Sequence, residues 1–149
     1  MTQDEARAAE VFGFFNEIGI INQLSSAMFA KSLPDGVHPS HFSILNHLSR
    51  LGDGKSPVRI AAAMQVTKNT MTHSLRVLAD RDFIVVRPDP ADGRAKLVFL
   101  TDAGRAFRDD AIVRVSQEFG HVIGADQLAI MERVRDDLSE LRKHLDNNR

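Results

Sequence analysis

Apolar residues near the start of the chain recur at every third or fourth position, a spacing that places them on one face of an α-helix. The pattern predicts a helix over about residues 5–31. Three further residues (Phe12, Ile20 and Phe29) widen its stripe beyond what one partner usually covers, so we interpret it as a dimer interface. The alternative is a larger core within one chain. The stripe consists of Val11, Phe14, Phe15, Ile18, Ile21, Leu24 and Met28.

Three shorter helices are predicted next, over about residues 39–51, 57–64 and 67–82. The turn-rich residues 31–36 precede the first of them. Ser56 followed by Pro57 is typical of the start of a helix, since proline tolerates the first helical position. Gln65-Val66 predicts a tight turn, after which Thr67 can cap the third helix. The apolar residues expected inside are Phe42, Leu45, Leu48, Ile60, Ala61, Met64, Met71, Leu75 and Leu78.

The pattern then changes from helical to β. Residues 83–87 and 96–100 are rich in β-branched and aromatic side chains, which favour strands. Residues 88–95 between them contain two prolines and an Asp-Gly pair, so they predict an exposed hairpin tip. Thr101 is expected to cap a fifth helix that reaches about residue 122. After a break at residues 124–127, apolar residues every three or four positions predict a sixth helix that packs along another helix.

The predicted short helix 57–64, the tight turn at Gln65-Val66 and the longer helix 67–82 with its polar outer face are followed by a basic hairpin. Together these elements indicate a winged helix-turn-helix. The longer helix can lie in the major groove of DNA, and Arg94 at the hairpin tip can enter a minor groove or bind phosphate. Asp92 could orient Arg94 or Arg87, and Arg87 could pair with Asp92 or Asp89. The residues expected to contact DNA are Thr67, Lys68, Asn69, Thr70, Thr72, His73, Arg76, Arg87, Asp92 and Arg94.

From about Phe42 to Gly104 the sequence resembles the MarR (multiple antibiotic resistance regulator) family. The most specific part is the spacing from Arg87 to Asp92-Gly-Arg94 and on to Leu100-Thr-Asp-Ala-Gly104. The resemblance implies a mainly α fold with a small β-hairpin wing. It also implies a homodimeric transcription regulator, usually a repressor. One departure is Phe83, where many members have glycine.

The same resemblance implies one compact chain with three functional segments. Residues 38–101 would form the winged helix-turn-helix DNA-binding domain. Residues 1–37 and 102–149 would supply the dimerisation helices that flank it. Two recognition helices related by a two-fold axis would then read an inverted-repeat operator in double-stranded DNA.

The resemblance further implies that a small ligand lowers DNA affinity from a cleft near the second predicted helix. Candidate cleft residues are Ser25, Met28, His38 and His41, and a small aromatic or amphipathic effector is the family expectation. The two histidines lie three residues apart, a spacing that lets two imidazoles share a metal. No third ligand is near in sequence, so we expect no metal and no cofactor, and interpret both histidines as capping or exposed residues.

Charge is distributed unevenly although the net charge of the 149 residues is only −1. Residues 55–105 hold nine basic and five acidic side chains, as expected of a segment that meets a polyanion. The chain has no cysteine, which excludes disulfides, thiolate nucleophiles and thiol-based redox sensing. Its polar N-terminus and short apolar runs favour a cytoplasmic protein without a membrane span.

Two other function classes compete with a DNA-binding regulator. An enzyme is disfavoured because no nucleophile elbow, phosphate loop, paired carboxylates or metal triad appears in the sequence. A winged helix that binds protein rather than DNA is disfavoured by the basic outer face of the longer helix. The sequence therefore predicts a dimeric, sequence-specific DNA-binding regulator without catalytic residues.

Overall fold

The chain forms six α-helices and one antiparallel β-hairpin over residues 2–149, the residues that the structure, a computed structural model, describes. This architecture confirms the predicted mainly α fold with a small β wing. Met1, part of the predicted 1–37 segment, lies outside the described residues. In chain order the elements are α1 (Gln3–Ser32), α2 (Pro39–Leu51), α3 (Pro57–Met64), α4 (Lys68–Asp80), β1 (Ile84–Asp89), β2 (Asp92–Leu100), α5 (Asp102–Gly120) and α6 (Ala125–Asn147).

The helices begin where the sequence supplies a group that binds the free backbone N–H groups of the first turn. Thr2 and Glu5 form a capping box at the start of α1, each side chain accepting from the backbone N–H of the other. The Ser56 hydroxyl accepts from the N–H of Arg59 at 3.3 Å, and Pro57 is the first residue of α3. Because these signals are local in sequence, the predicted ends of the first five helices agree with the structure to within two residues.

One core joins α2, α3, α4 and the hairpin. The turn between α3 and α4 is made by Gln65, whose backbone is left-handed (φ 53°) and whose N–H binds the carbonyls of the last turn of α3. This turn lets α4 pack back across α2 and α3. The buried residues of the core are Ile44, Leu45, Leu48, Ile60, Ala61, Met71, Leu75, Leu78, Ile84, Val98 and Leu100.

The hairpin strands are longer than the sequence predicted. They pair from Ile84 with Leu100 as far as Pro88 with Lys96, and the register then shifts so that Asp89 faces Asp92. The predicted loop over residues 88–95 was therefore wrong, and only the tip itself is a turn. Pro88 is tolerated because β1 is an edge strand, where proline need not donate a hydrogen bond.

A short third segment pairs with the other edge of β2. The N–H of Gly54 donates to the carbonyl of Val98 at 2.7 Å, and the N–H of Val98 donates to the carbonyl of Lys55 at 2.9 Å. The residues just before α3 thus extend the wing sheet. This pairing joins the wing to the start of the helix-turn-helix.

A second apolar cluster holds the end of α1 and the start of α2 against α5. Leu33, Val37 and Ala111 are buried there. Phe42, which the sequence placed in the core, is only half-buried and meets Phe29 edge-on with ring centroids 4.6 Å apart. The cluster fixes the loop that leads into α2.

The chain divides into two compact units, one up to Val115 and one over Ser116–Arg149. In the first unit α1 buries none of its residues, and Phe12 is 71% exposed. In the second unit α6 likewise buries none, and Leu128, Met131 and Leu138 are exposed. Both helices therefore carry apolar faces that the single chain leaves uncovered. None of the described helices is long and apolar enough to cross a membrane.

Candidate nucleic-acid interface

The start of α4 is built by three threonines whose hydroxyls bind within the helix. Thr67 Oγ1 accepts from the N–H of Thr70 at 3.2 Å, and the two hydroxyl oxygens lie 2.9 Å apart. Thr72 Oγ1 donates to the carbonyl of Lys68 at 2.9 Å. These hydroxyls stabilise the helix end, so the threonines have less hydrogen-bonding capacity left for a ligand.

The other predicted residues of α4 point away from the core. Lys68, Asn69, His73 and Arg76 are exposed, whereas the opposite stripe of the helix is buried. Asparagine can pair with both polar edge atoms of adenine, and arginine can pair with guanine or phosphate. The outer face of α4 can therefore offer donors and acceptors to a groove of DNA.

The wing presents Arg94 from an acid-stabilised turn. Asp92 Oδ1 accepts from the backbone N–H of Arg94 at 3.0 Å, and Asp89 Oδ1 accepts from the N–H of Ala91 at 2.9 Å. The suggestion that Asp92 orients a guanidinium was wrong, since Asp92 binds the backbone instead. Within residues 2–149 no carboxylate forms an ion pair with Arg94, and its exposed guanidinium is available to an anion.

Arg87 is held by an aromatic ring rather than by an acid. Its guanidinium carbon lies 5.6 Å from the centroid of the Phe99 ring, a cation–π distance. Neither Asp89 nor Asp92 forms an ion pair with Arg87 in the described chain, so the predicted pairing was wrong. Arg87 is exposed on β1 and keeps its donors for another partner.

A cleft of about 520 Å³ lies between α4 and the wing. Lys68 and Thr72 line it from α4, and Arg94 lines it from β2. Two residues that the sequence analysis did not select, Lys96 and Val58, also line the cleft. The sequence could have predicted Lys96 at this cleft, because it lies two residues after Arg94 and residues two apart in a strand share a face. Val58 had no such signal, since its neighbours across the cleft are distant in sequence.

The root of the wing is fastened by the segment before α5. Thr101 Oγ1 donates to the carbonyl of Asp82 at 2.5 Å and accepts from the N–H of Gly104 at 2.9 Å. Asp53 Oδ2 accepts from the N–H of Leu100 at 3.2 Å and from Arg105 Nη2 at 3.1 Å. The direction in which the wing leaves the core depends on these contacts.

The backbone conformation that favours glycine occurs at Asp82, with φ 58°, and not at Phe83. The residue that stands where many family members have glycine is therefore Asp82, one residue before the Phe83 that the sequence analysis named. Phe83 itself stacks on Phe107 with ring centroids 4.3 Å apart and is packed against the core. Its size contributes packing under the wing.

The four candidate effector residues differ in their surroundings. Ser25 and Met28 are half-buried on α1, and Ser25 Oγ donates to the carbonyl of Asn22 at 3.2 Å. His38 is exposed at the N-cap of α2. Exposure was one of the two interpretations, capping or exposure, that the sequence allowed. Their assignment to a ligand cleft stays a prediction.

His41 is buried, so the expectation of solvent exposure was wrong for it and the capping interpretation applies. Its Nδ1 accepts from the backbone N–H of His38 at 3.1 Å. Burial, and then the nearby positive groups His38, His73 and Arg81, lower the pKa of His41. Within residues 2–149 no group of three histidine, aspartate or glutamate side chains is arranged to hold a metal ion.

Comparison with known proteins agrees with this geometry. The sequence model of the MarR family matches residues 35–95. A MarR-family transcriptional regulator from Rhodococcus sp. RHA1 has a similar structure, with a TM-score of 0.73 and 25% identity over 89% of this chain and 93% of that chain. No curated protein sequence matches the chain.

Two similar structures contain ligands. CouR from Rhodococcus jostii RHA1, bound to p-coumaroyl-CoA, matches with a TM-score of 0.67 and 26% identity over 87% of this chain and 90% of that chain. A mutant of MarR from E. coli, complexed with operator DNA, shares the fold with a TM-score of 0.65 and 22% identity over 87% of this chain and 95% of that chain.

Proposed function

We propose that this chain, whose residues 35–95 match the sequence model of the MarR family, is a MarR-family regulator and a homodimeric repressor that binds an inverted-repeat operator in double-stranded DNA. The observation that carries this proposal is the cleft that Lys68 on α4 and Arg94 on the wing both line. Two cations from separate elements fit a phosphate backbone, while the outer face of α4 can reach base edges between them.

The proposed dimer is supported by the uncovered apolar faces of α1 and α6. Large exposed apolar faces are typical of surfaces that bind another protein. We assign dimerisation to residues 1–37 and 102–149, and DNA binding to residues 38–101. In such a dimer the two α4 helices would enter successive major grooves about 34 Å apart, so the operator half-sites would lie one helical turn apart.

The proposal includes release from DNA by a small ligand. It follows the family and the relative bound to p-coumaroyl-CoA. Ser25, Met28, His38 and His41 remain the candidate contacts, near the junction of α1 and α2. A ligand would lower DNA affinity if it bound one spacing of the two winged domains better than the spacing that fits DNA.

Fluorescence anisotropy on duplex DNA from immediately upstream of the gene, with a scrambled duplex as control, tests DNA binding. We expect tight binding to the native duplex alone, with an affinity that falls steeply as salt rises. Arg94→Ala should weaken binding and reduce the salt slope by about one. Arg7→Ala, which removes an equal charge from the exposed start of α1, is the matched control.

The outcomes separate the alternatives. Failure of both duplexes to bind at low salt would contradict DNA binding and favour a protein-binding winged helix. Specific binding without any effect of Arg94→Ala would contradict the role of the wing. Light scattering during gel filtration tests the dimer, and Phe12→Glu should produce a monomer if α1 forms the interface.

A further inference from the structure

The first turn of α2 contains a buried histidine that accepts a backbone hydrogen bond. His41 is only 4% exposed, and its Nδ1 lies 3.1 Å from the backbone nitrogen of His38. A ring nitrogen that accepts a hydrogen bond carries no proton, so the imidazole must be neutral with its proton on Nε2. The cap of α2 therefore exists only in the neutral state of His41.

Protonation would turn this acceptor into a donor. Both ring nitrogens of an imidazolium donate, so the N–H of His38 would lose its partner and face another N–H. The new charge would also stand at the positive end of the α2 dipole. A proton on His41 is thus expected to open the first turn of α2.

The charged groups around His41 act in the same direction. His38 lies beside it on α2, with ring centroids 5.4 Å apart, His73 acts on it from α4, and Arg81 acts from just beyond the end of α4. All of them oppose a further positive charge. The side of α2 that meets α1 is apolar, where Phe42 packs on Phe29.

Arg81 connects this cap to the recognition helix. Its guanidinium Nη2 donates to the carbonyl of Asp35 in the loop between α1 and α2. The same loop leads through the buried Val37 to His38 and the start of α2. The end of α4 is therefore tied to the loop that the His41 cap holds in place.

We propose that His41 is a proton-sensitive cap that couples the α1–α2 loop to the recognition helix α4, so that acidification weakens DNA binding. The inference rests on the proposed DNA-binding function. Neutral His41 holds the loop, and the loop holds Arg81 and thereby the end of α4. Protonated His41 releases the cap and repels Arg81, which lets α4 shift in its packing.

The direction of the pH dependence follows from the lowered pKa of His41. Because the folded state favours the neutral imidazole, its contribution to stability is complete above the ordinary pKa of about 6.5. That contribution is lost as pH falls from there through the lowered pKa.

His47 on α2 provides a matched control. Its pKa is also lowered, by burial and then by Lys55 and Arg50, so it titrates in the same direction as His41. It stands about two helical turns further along α2, away from the cap. His47→Gln should therefore change the acid stability of the fold without removing the acid sensitivity of DNA binding.

The test compares the wild type, His41→Gln and His47→Gln at pH 7.5 and 5.5 and constant ionic strength. Glutamine at the third helical position can accept from the N-cap N–H, as in a capping box, but does not titrate. We expect wild type and His47→Gln to lose about fivefold in DNA affinity on acidification, at the lower end of usual couplings between sites. His41→Gln should lose none.

Nitrogen NMR of the wild type without DNA gives a second readout. The Nδ1 shift of His41 should report an unprotonated acceptor at pH 7.5. Relative to its intrinsic exchange rate at each pH, the His38 N–H should be less protected from hydrogen exchange in acid than at pH 7.5, and His41→Gln should abolish that loss of protection. If His41→Gln fails to fold, the wild-type measurements alone still decide the state of the cap.

Several results would overturn the proposal. These are an Nδ1 of His41 protonated at pH 7.5, equal acid sensitivity in His41→Gln and wild type, or loss of that sensitivity in His47→Gln. If no variant binds DNA at any pH, the proposed DNA-binding function fails. The proton-sensitive cap would then be tested by hydrogen exchange of the His38 N–H alone.

Discussion

The carbonyl oxygen of Phe83 occupies the place where a side chain on Gly104 would begin. A Cβ on Gly104 would lie 2.0 Å from this oxygen, far inside contact distance, and the nearest obstacle is backbone rather than a flexible side chain. The first turn of α5 can therefore pack against the entry to β1 only with glycine at this position. This explains in physical terms why the Leu100-Thr-Asp-Ala-Gly104 motif ends in glycine.

Gly104→Ala is expected to destabilise the fold by about 3 kcal/mol, because backbone must move to admit the methyl group. Urea unfolding followed by circular dichroism measures the effect. Gly120→Ala is the control in the same helix, since a Cβ there meets nothing within 4 Å, and it should change stability by less than about 1 kcal/mol. Equal stability of the two variants would contradict the steric explanation.

Thr101→Val should cost about 1–2 kcal/mol of stability, because it removes the hydroxyl that joins the carbonyl of Asp82 to the N–H of Gly104. Thr101→Ser keeps the hydroxyl and should retain most of the stability. Thermal unfolding of both variants measures the difference. If valine is tolerated as well as serine, the hydroxyl does not fasten the wing.

Asn69→Ala should weaken binding to the preferred operator roughly tenfold, because the amide of Asn69 is free to pair with adenine. Thr72→Val should change affinity less than about twofold, because the Thr72 hydroxyl is bound to the carbonyl of Lys68 and valine keeps the shape. Anisotropy on operator variants with single base changes measures both. The reverse order of effects would show that Thr72 reads the DNA and Asn69 does not.

Asp92→Ala should bind DNA about three- to fivefold more weakly than Asp92→Asn. Both variants remove the same negative charge, but only asparagine keeps an oxygen that accepts from the N–H of Arg94. The comparison therefore isolates the contribution of the turn to the position of Arg94. Equal affinities in a titration at fixed salt would mean that the turn does not position the wing.

The sequence could predict the elements of this fold because their signals are local. The spacing of apolar residues, the caps at Ser56 and Thr67, and the change to β-branched residues each depend on neighbours within one helical turn or one strand. The same signals selected the outer face of α4 and Arg94. The predicted length of the hairpin strands was wrong because strand pairing overrode the loop tendency of Pro88 and of the residues near the tip.

Side-chain partners, in contrast, were decided by tertiary structure. Arg87 lies over Phe99 rather than beside an acid, and Asp92 binds backbone rather than a guanidinium. The sequence analysis offered Arg87 only acids that are near along the chain, whereas Phe99 lies on the other strand of the hairpin and meets Arg87 through strand pairing. The choice depends on the register of the two strands, which sets the atoms that face one another.

By itself the sequence determined the amphipathic helices, the caps, the turn after α3 and a basic hairpin, because each arises from interactions between residues close along the chain. Tertiary structure alone decided the burial of His41, the contact of Gly104 with Phe83, and the cleft in which Val58 and Lys96 join Arg94. These features require segments that are distant along the chain to meet at defined separations. Such separations result from the packing of the whole core, in which every side chain constrains the others.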